Sequence, residues 1–454
     1  MRHIHTIDDA LREIGERNLS HVKVAVSDID GILRGKYMSR EKFSHALNQG
    51  FGFCDVVLGW DSNDQLYDNV RYTGWHTAYP DAQVRVLPES ARDIPFEGDM
   101  LFFLAEFAGD AEAICPRALL RRVADKARAM GFEALASLEY EFFLFEETPQ
   151  SIRAKGYRNL KNWTPGYFGY SVLRNSVHAE FYHQLLALCE AMDMPIEGLH
   201  TETGPGVVEA ALAYDTVLNA GDKALLFKTF TKVLAQRNNL MATFMAKWSN
   251  DYPGQSGHIH LSLRHLADGS SAFFQAGADH GMSQTQRHFV AGLQRLMPEF
   301  LAMFAQTVNS YSRLIPGFWA PTDASWGYEN RTTALRVIDG SDKCQRVEVR
   351  IASADANPYI ALAAALAAGL YGIEQRWEPE PATLGNAYAE TFPANLALPR
   401  TLFEAAGRLR QSDAARALFG EAFVEHFAAT REWEEREFRK HITDWELARY
   451  FEII

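Results

Sequence analysis

No CxxC pair occurs in this chain, and its four cysteines, Cys54, Cys115, Cys189 and Cys344, stand far apart. That excludes a zinc knuckle and offers no disulfide framework, so a reducing, cytoplasmic setting is expected. Long apolar runs are missing too. The longest, Tyr359 to Ile373, is Ala-rich and about 15 residues, short of the roughly 18 needed to span a bilayer, and reads as a buried helix. Positive charge is in deficit: a net charge of −13 argues against broad attraction to nucleic acid or anionic membrane, and neither is expected as a partner. Repeats, low-complexity tracts and long flexible linkers are lacking. The first residues, MRHIHTIDDALREIG, show helical spacing rather than the apolar core of a signal peptide.

What is present is an ordinary globular composition, 47% apolar and 23% charged, spread over 454 residues, enough for two or three domains. From His21 to Met38 apolar and polar residues alternate and break at Asp30-Gly31, a hairpin signature. The first part, residues 1–112, therefore reads as a small β-rich domain. Pro116 can open a helix that stops at Gly131, and a larger domain, residues 113–454, begins there. Helical patterns follow around 176–192, 222–244, 286–304 and 358–375, interleaved with short strand-like runs.

Three of those runs carry polar groups where a core strand should be apolar: Leu138-Glu139-Tyr140-Glu141-Phe142, Gly257-His258-Ile259-His260-Leu261 and Arg346-Val347-Glu348-Val349-Arg350. Residues two apart on a strand share a face, so each run projects its polar groups together. Buried without partners, such groups would cost several kcal/mol each, so a wet, ion-binding cleft is expected. The segment His200-Thr201-Glu202-Thr203-Gly204-Pro205-Gly206-Val207-Val208-Glu209 adds two more carboxylates around a turn. Five carboxylates and a histidine suit Mg²⁺ or Mn²⁺ better than zinc. One E-x-E strand is ordinarily a solvated sheet face, and one H-x-H an ordinary pair of histidines; three such runs in one domain are harder to dismiss. Arg313, Arg331, Arg336, Lys343, Arg346 and Arg350 crowd the stretch from Val308 to Tyr359, either as a solvated basic face or as clamps for carboxylate and phosphate.

In order and spacing, these segments resemble the glutamine synthetase family from about Val22 to the C-terminus. The motifs are GFEALASLEYEFFLF from Gly131, ETGPGVVE from Glu202, GHIHLSL from Gly257, NSYSRLIPGFWAP from Asn309, NRTTALR from Asn330, KCQRVEVR from Lys343 and Asn357-Pro358-Tyr359. The resemblance implies an α+β protein: an N-terminal β-grasp domain and a catalytic domain whose curved antiparallel sheet is flanked by helices. It implies glutamate and ATP as substrates, two or three Mg²⁺ or Mn²⁺ ions per site, and a ring-shaped homo-oligomer, a dodecamer of stacked hexamers, with active sites between subunits. Glu141, Glu202 and Glu209 then hold the metal nearer glutamate, and Glu139, His258 and Glu348 the metal at the ATP phosphates. His260, Ser262, Lys343 and Arg346 meet the nucleotide. Arg313 and Arg350 clamp the glutamate α-carboxylate, and Gly254 offers it a backbone contact. Arg336 lies near the transferred phosphoryl group, Arg331 stabilises the phosphorylated intermediate, and Tyr167 is an aromatic near the amine site.

The sequence departs from that pattern at the flap. Where ammonia-using members carry a glutamate after the Pro-Gly-aromatic turn, Pro316-Gly317-Phe318 is followed by Trp319. A pocket that exchanges a carboxylate for an indole should hold NH₄⁺ less well and an organic amine better. The expected activity is therefore γ-glutamylamide synthesis with a small organic amine. Ordinary glutamine synthesis is the alternative, with Trp319 merely packing the flap; a catalytically inactive, structural or regulatory member and a two-metal phosphohydrolase are more distant ones. The glutamine usual in the turn after Pro205 is Val207, no adenylylation loop is evident around Tyr388, and either Asp55 or Asp61 could be the carboxylate lent to a neighbouring subunit.

Overall fold

A computed structural model of the protein describes residues 3–454. The N-terminal sheet is built from β1 (His21–Ser27), β2 (Leu33–Ser39), β3 (Phe51–Cys54), β4 (Asp81–Val86), β5 (Arg92–Asp93) and β6 (Leu101–Phe107). Its order is β2-β1-β6-β4-β3, with β5 against β6, and β1 and β6 run parallel. The expected hairpin joins β1 to β2. Asp28 Oδ1 accepts the backbone N–H groups of Asp30 (3.1 Å) and Ile32 (2.7 Å), and Gly31 supplies the left-handed residue at φ 77°. A side chain at Gly31 would also stand 3.0 Å from the Asn357 Cα, so glycine lets the hairpin lie against the C-terminal half of the chain.

The second sheet holds β7 (Phe132–Phe145), β8 (Ile196–Thr201), β9 (Val207–Leu212), β10 (Asp215–Thr216), β11 (Met241–Thr243), β12 (Gly257–His265), β13 (Trp326–Tyr328), β14 (Leu335–Ile338) and β15 (Arg346–Val349). The order is β13-β14-β15-β12-β7-β9-β8, antiparallel but for the β13–β14 pair, and β10 and β11 pair with β7 as well. Along β7 the period of two divides the strand. Leu138, Tyr140 and Phe142 face a helical layer, where Tyr140 stacks on Phe227 at 6.1 Å, while Glu139 and Glu141 face the open side.

Helices Pro116–Ala129, Val217–Arg237 and Gln284–Phe304 lie against the sheet, and Pro358–Gln375 packs on all three. Pro116 occupies the first turn of the first, and Gly131 follows its end at φ 89°, as expected. The helix expected over 222–244 instead stops at Arg237. Asn238 caps it, Asn239 turns the chain at φ 57°, and Met241–Thr243 becomes an edge strand on β7. The Ala-rich helix Pro358–Gln375 is buried along most of its length, and no helix among the described residues is long and apolar enough to cross a membrane.

Candidate active site

Strand register brings the polar face together. One cross-strand row runs Arg336 (β14), Glu348 (β15), His260 (β12), Ser137 (β7). The next pairs His258 with Glu139, and a third runs Glu141 (β7), Glu209 (β9), His200 (β8). Directly opposed residues have Cβ atoms about 4.5–5.5 Å apart, so the backbone alone stacks like charges. The resulting cavity, of about 410 Å³, is lined by Glu139, Glu141, Glu202, Glu209, His258 and Glu348, the six groups expected to hold metal.

Two subsets lie close enough to share an ion. Oxygens and ring nitrogens of Glu139, His260 and Glu348 all approach one another within 4.8 Å, and so do those of His200, Glu202 and Glu209. His200 was not among the expected ligands. It sits two residues before Glu202 and opposite Glu209 across β8–β9, so the period of two that revealed the other strands would have found it. His258 stands beside the first subset, its Nδ1 3.3 Å from Glu348 Oε1 and its buried Nε2 without a partner.

Electrostatics separate the two ends. Burial opposes ionisation of Glu139, but His258 and His260 outweigh it and hold this carboxyl well below its ordinary range. Glu348 is likewise buried, yet His258 and then Arg350 bring it down to about 2. At the other end burial and then the charges of Glu141 and Glu139 push Glu209 up to about 9, and burial and Glu202 raise Glu141. Carboxylates that repel one another and a buried imidazole nitrogen with no partner are what a hard divalent cation would satisfy, so these donors fit Mg²⁺ or Mn²⁺.

The arginines are tied into the same face. Arg350 Nη1 donates to Glu348 Oε1 at 2.5 Å and Arg336 Nη1 to Glu348 Oε2 at 3.0 Å, while Arg336 also pairs with Glu329. Arg313 is buried and spends two donors on the carbonyls of Ile351 (3.1 Å) and Arg350 (3.0 Å); burial draws its pKa down to about 10. Gly254 lies against it, and a methyl group there would meet Arg313 Cγ at 2.6 Å. Arg331 lines the cavity and makes no hydrogen bond among the described residues.

His260, Ser262, Lys343 and Arg346 line a second cavity of about 250 Å³. Arg346 Nε donates to His260 Nδ1 at 3.2 Å. Glu139 lines both cavities, so the two adjoin at a single carboxylate.

The mouth of the larger cavity is aromatic. Trp319 lines it from the flap, 58% exposed, at φ 59°. Facing from another segment is Tyr170, at φ 56°, its ring 4.4 Å from that of His200. Backbone bonds from Tyr170 N to Thr201 O (2.7 Å) and Ser171 N to Thr201 Oγ1 (2.9 Å) pin this segment to β8. Bulky residues rarely adopt positive φ, and two at one opening are a costly arrangement. Tyr167 does not line the cavity: its hydroxyl donates to Asp251 O at 2.8 Å and its ring packs on Tyr252. Neither Asp55, which accepts from Thr73 Oγ1 at 2.7 Å, nor Asp61, which caps its own turn, lines the cavity in this chain.

Comparison with known proteins matches residues 113–450 to the family described as "Glutamine synthetase, catalytic domain". Over 453 residues the chain is 45% identical to the type-1 glutamine synthetase 2 of Dictyostelium discoideum, covering 98% of this chain and 86% of that one. Over 447 residues it is 35% identical to the glutamate–isopropylamine ligase of a Pseudomonas species, covering 97% of each. A solved structure of a protein called GmaS in complex with ADP shares the fold, with a TM-score of 0.85 at 24% identity over 97% of this chain and 99% of that one.

Proposed function

The chain belongs to the glutamine synthetase family, and from that premise we propose that it joins the γ-carboxylate of glutamate to a small organic amine, converting ATP to ADP and phosphate. The observation that carries this reading is the pair of cavities meeting at Glu139, with an aromatic rather than carboxylate rim on the larger one. Nucleotide enters beside Lys343 and Arg346, glutamate beside Arg350, and the amine through the Trp319–Tyr170 mouth.

A carboxylate resists attack by an amine because its oxygen is a poor leaving group. A γ-carboxylate oxygen of glutamate therefore first attacks the γ-phosphorus of ATP, and ADP departs with the bridging oxygen. Arg336, held in place by Glu348 and Glu329, meets the transferring phosphoryl group. The neutral amine then attacks the acyl carbon, a proton leaves the nitrogen, and phosphate departs carrying the former carboxylate oxygen. Arg331, whose guanidinium makes no hydrogen bond among the described residues, receives that charge. Arg350 orients the glutamate α-carboxylate, and Arg313 supports it by holding the Arg350 carbonyl. Glu141, Glu202 and Glu209 with His200, and Glu139 and Glu348 with the β12 histidines, would hold two or three divalent ions. When bound, these ions offset the negative charge of the nucleotide phosphates and the substrate carboxylate.

Ordinary glutamine synthesis is the second reading, favoured by the 45% identity to the Dictyostelium glutamine synthetase. Against it stands the apolar indole at the flap. We further propose that the chain self-associates into a ring with sites between copies. Asp55 and Asp61 lie outside the cavity of their own chain, and the C-terminal segment exposes Trp445, Leu447 and Phe451. Incubation with glutamate ¹⁸O-labelled in its γ-carboxylate tests the ligase chemistry: phosphate should be released only when ATP, glutamate and an amine are all present, and should carry one label. Unlabelled phosphate, or release without the amine, would assign the site to hydrolysis.

A further inference from the structure

Two aromatic side chains stand at the mouth of the carboxylate cavity, on supports of different kinds. Trp319 rides on the flap, two residues after Gly317, whose φ is 83°. Tyr170 is built in. Its N–H donates to the Thr201 carbonyl (2.7 Å), and Thr201 Oγ1 donates to the Phe168 carbonyl (2.9 Å) and accepts from the Ser171 N–H (2.9 Å). Ser171 Oγ in turn accepts from the Arg174 N–H (3.3 Å) and starts the short helix Val172–Val177. The backbone on both sides of Tyr170 is thereby tied, to β8 and to a helix.

The ring is braced on one side and open on the other. Its centroid lies 4.4 Å from that of His200, with 31° between the planes, so His200 blocks rotation toward β8. Partial burial of the hydroxyl end and then the Glu202 charge push the phenol up to about 12, which sets that end beside the carboxylates. The residue as a whole is 70% exposed. An aromatic face held rigid next to a reaction site is apolar surface that the hydrocarbon of a substrate can cover. Val207 and Phe143, both buried, line the same cavity and add no polar partner. Its volume of about 410 Å³ must also take glutamate and the transferred phosphoryl group. Little space remains for the acceptor, and one wall of that space is a ring that backbone and His200 hold in place.

On the reading of the chain as a glutamate–amine ligase, we propose that Tyr170 is a specificity-determining residue. Its ring is a fixed wall that packs against the hydrocarbon of the incoming amine and sets the length accepted, admitting short alkyl groups and turning away long ones.

The test is kcat/KM for ammonia, methylamine, propylamine and hexylamine at saturating ATP, Mg²⁺ and glutamate. In the wild-type enzyme hexylamine should fall roughly tenfold or more below propylamine, the scale on which a pocket wall discriminates by methylene groups. Tyr170→Gly suits φ 56° and removes the ring. It should raise the hexylamine-to-propylamine ratio by roughly tenfold or more, while the KM values for ATP and glutamate stay within about twofold of wild type. Tyr170→Ala repeats the measurement should the glycine variant melt early. Tyr170→Phe keeps the ring and should keep the wild-type length profile. The proposal is overturned by a ratio unchanged in both ring-removing variants, or by a Tyr170→Phe profile shifted as far as theirs. Wild-type turnover of hexylamine as fast as propylamine would overturn it too. Wild-type enzyme active with ammonia alone would instead overturn the amine-ligase reading; the wall then stands if Tyr170→Gly gains activity with propylamine and falls if it gains none.

Discussion

At the scale of the residue, Trp319 separates two chemistries. Ammonium must be captured as a cation and lose a proton before it can attack, and both steps call for a carboxylate close by. An indole offers an apolar wall or a π face instead, worth about 0.5–2 kcal/mol to an organic amine. Trp319→Glu should therefore shift the ratio of kcat/KM for ammonia over the preferred organic amine upward, by roughly tenfold for about 1.4 kcal/mol, in steady-state assays. An unchanged ratio would mean that the indole only packs the flap. Arg350 has a double duty that its sequence position did not reveal, since it also braces Glu348. Arg350→Ala should raise the KM for glutamate by an amount equivalent to about 1.5–3 kcal/mol, and Arg350→Lys, which keeps the charge but loses the fork, should recover only part of it. Tyr170 illustrates what single residues hide. It lies in an irregular loop with no periodicity, and its neighbour Tyr167 matched a family motif better, yet Tyr170 is the one at the cavity.

At the scale of the element, the antiparallel register places Glu141, Glu209 and His200 in one row. Without a cation, like charges stacked across strands weaken the sheet. Glu209→Gln should thus melt at the same or a higher temperature than wild type in EDTA, while losing most of the stabilisation that Mg²⁺ gives the native enzyme, as read by differential scanning fluorimetry. A variant that melts lower in EDTA and still responds fully to Mg²⁺ would contradict that role. Much at this scale was legible in the sequence. Polar residues two apart in β7, β12 and β15 can only mean a wet sheet face, because burying them in a core would be prohibitive. The helix Pro116–Ala129 was legible from its terminal Pro and Gly. What could not be read was pairing: nothing local says that His260 faces Glu348, or that Glu139 is shared by two cavities, because register is set by contacts distant in sequence. The overrun of the expected helix past Arg237 has a local cause, as residues 240–244 are apolar enough to continue its pattern while two asparagines end it.

At the scale of the whole molecule, polar contacts such as Arg431–Asp30 and Arg117–Glu106 tie the N-terminal part to the C-terminal half, and one more is made by a buried histidine. His426, fully buried, donates from Nε2 to the Leu58 carbonyl at 2.8 Å. Burial lowers its pKa from 6.5 to about 4, so the folded protein takes up its proton later than the unfolded chain does. The neutral form is accommodated above about pH 6.5, and stability is lost as pH falls from there toward 4, by roughly 3 kcal/mol in all at about 1.4 kcal/mol per pH unit. His426→Gln, which can still donate to Leu58, should flatten that part of the acid-unfolding profile measured by circular dichroism; an unaltered profile would remove His426 from the account. The two-body layout around Gly31 and Asn357 was only half legible, because the turn is local and its docking is not. The acceptor amine is the claim on which the account turns. The most direct measurement is kcat/KM for ammonia and for a panel of alkyl, aryl and polyamine acceptors, at saturating ATP, Mg²⁺ and glutamate, with products identified by mass spectrometry. A small apolar amine should exceed ammonia, giving the corresponding γ-glutamylamide. Ammonia exceeding every organic amine would contradict this reading and make the enzyme an ordinary glutamine synthetase.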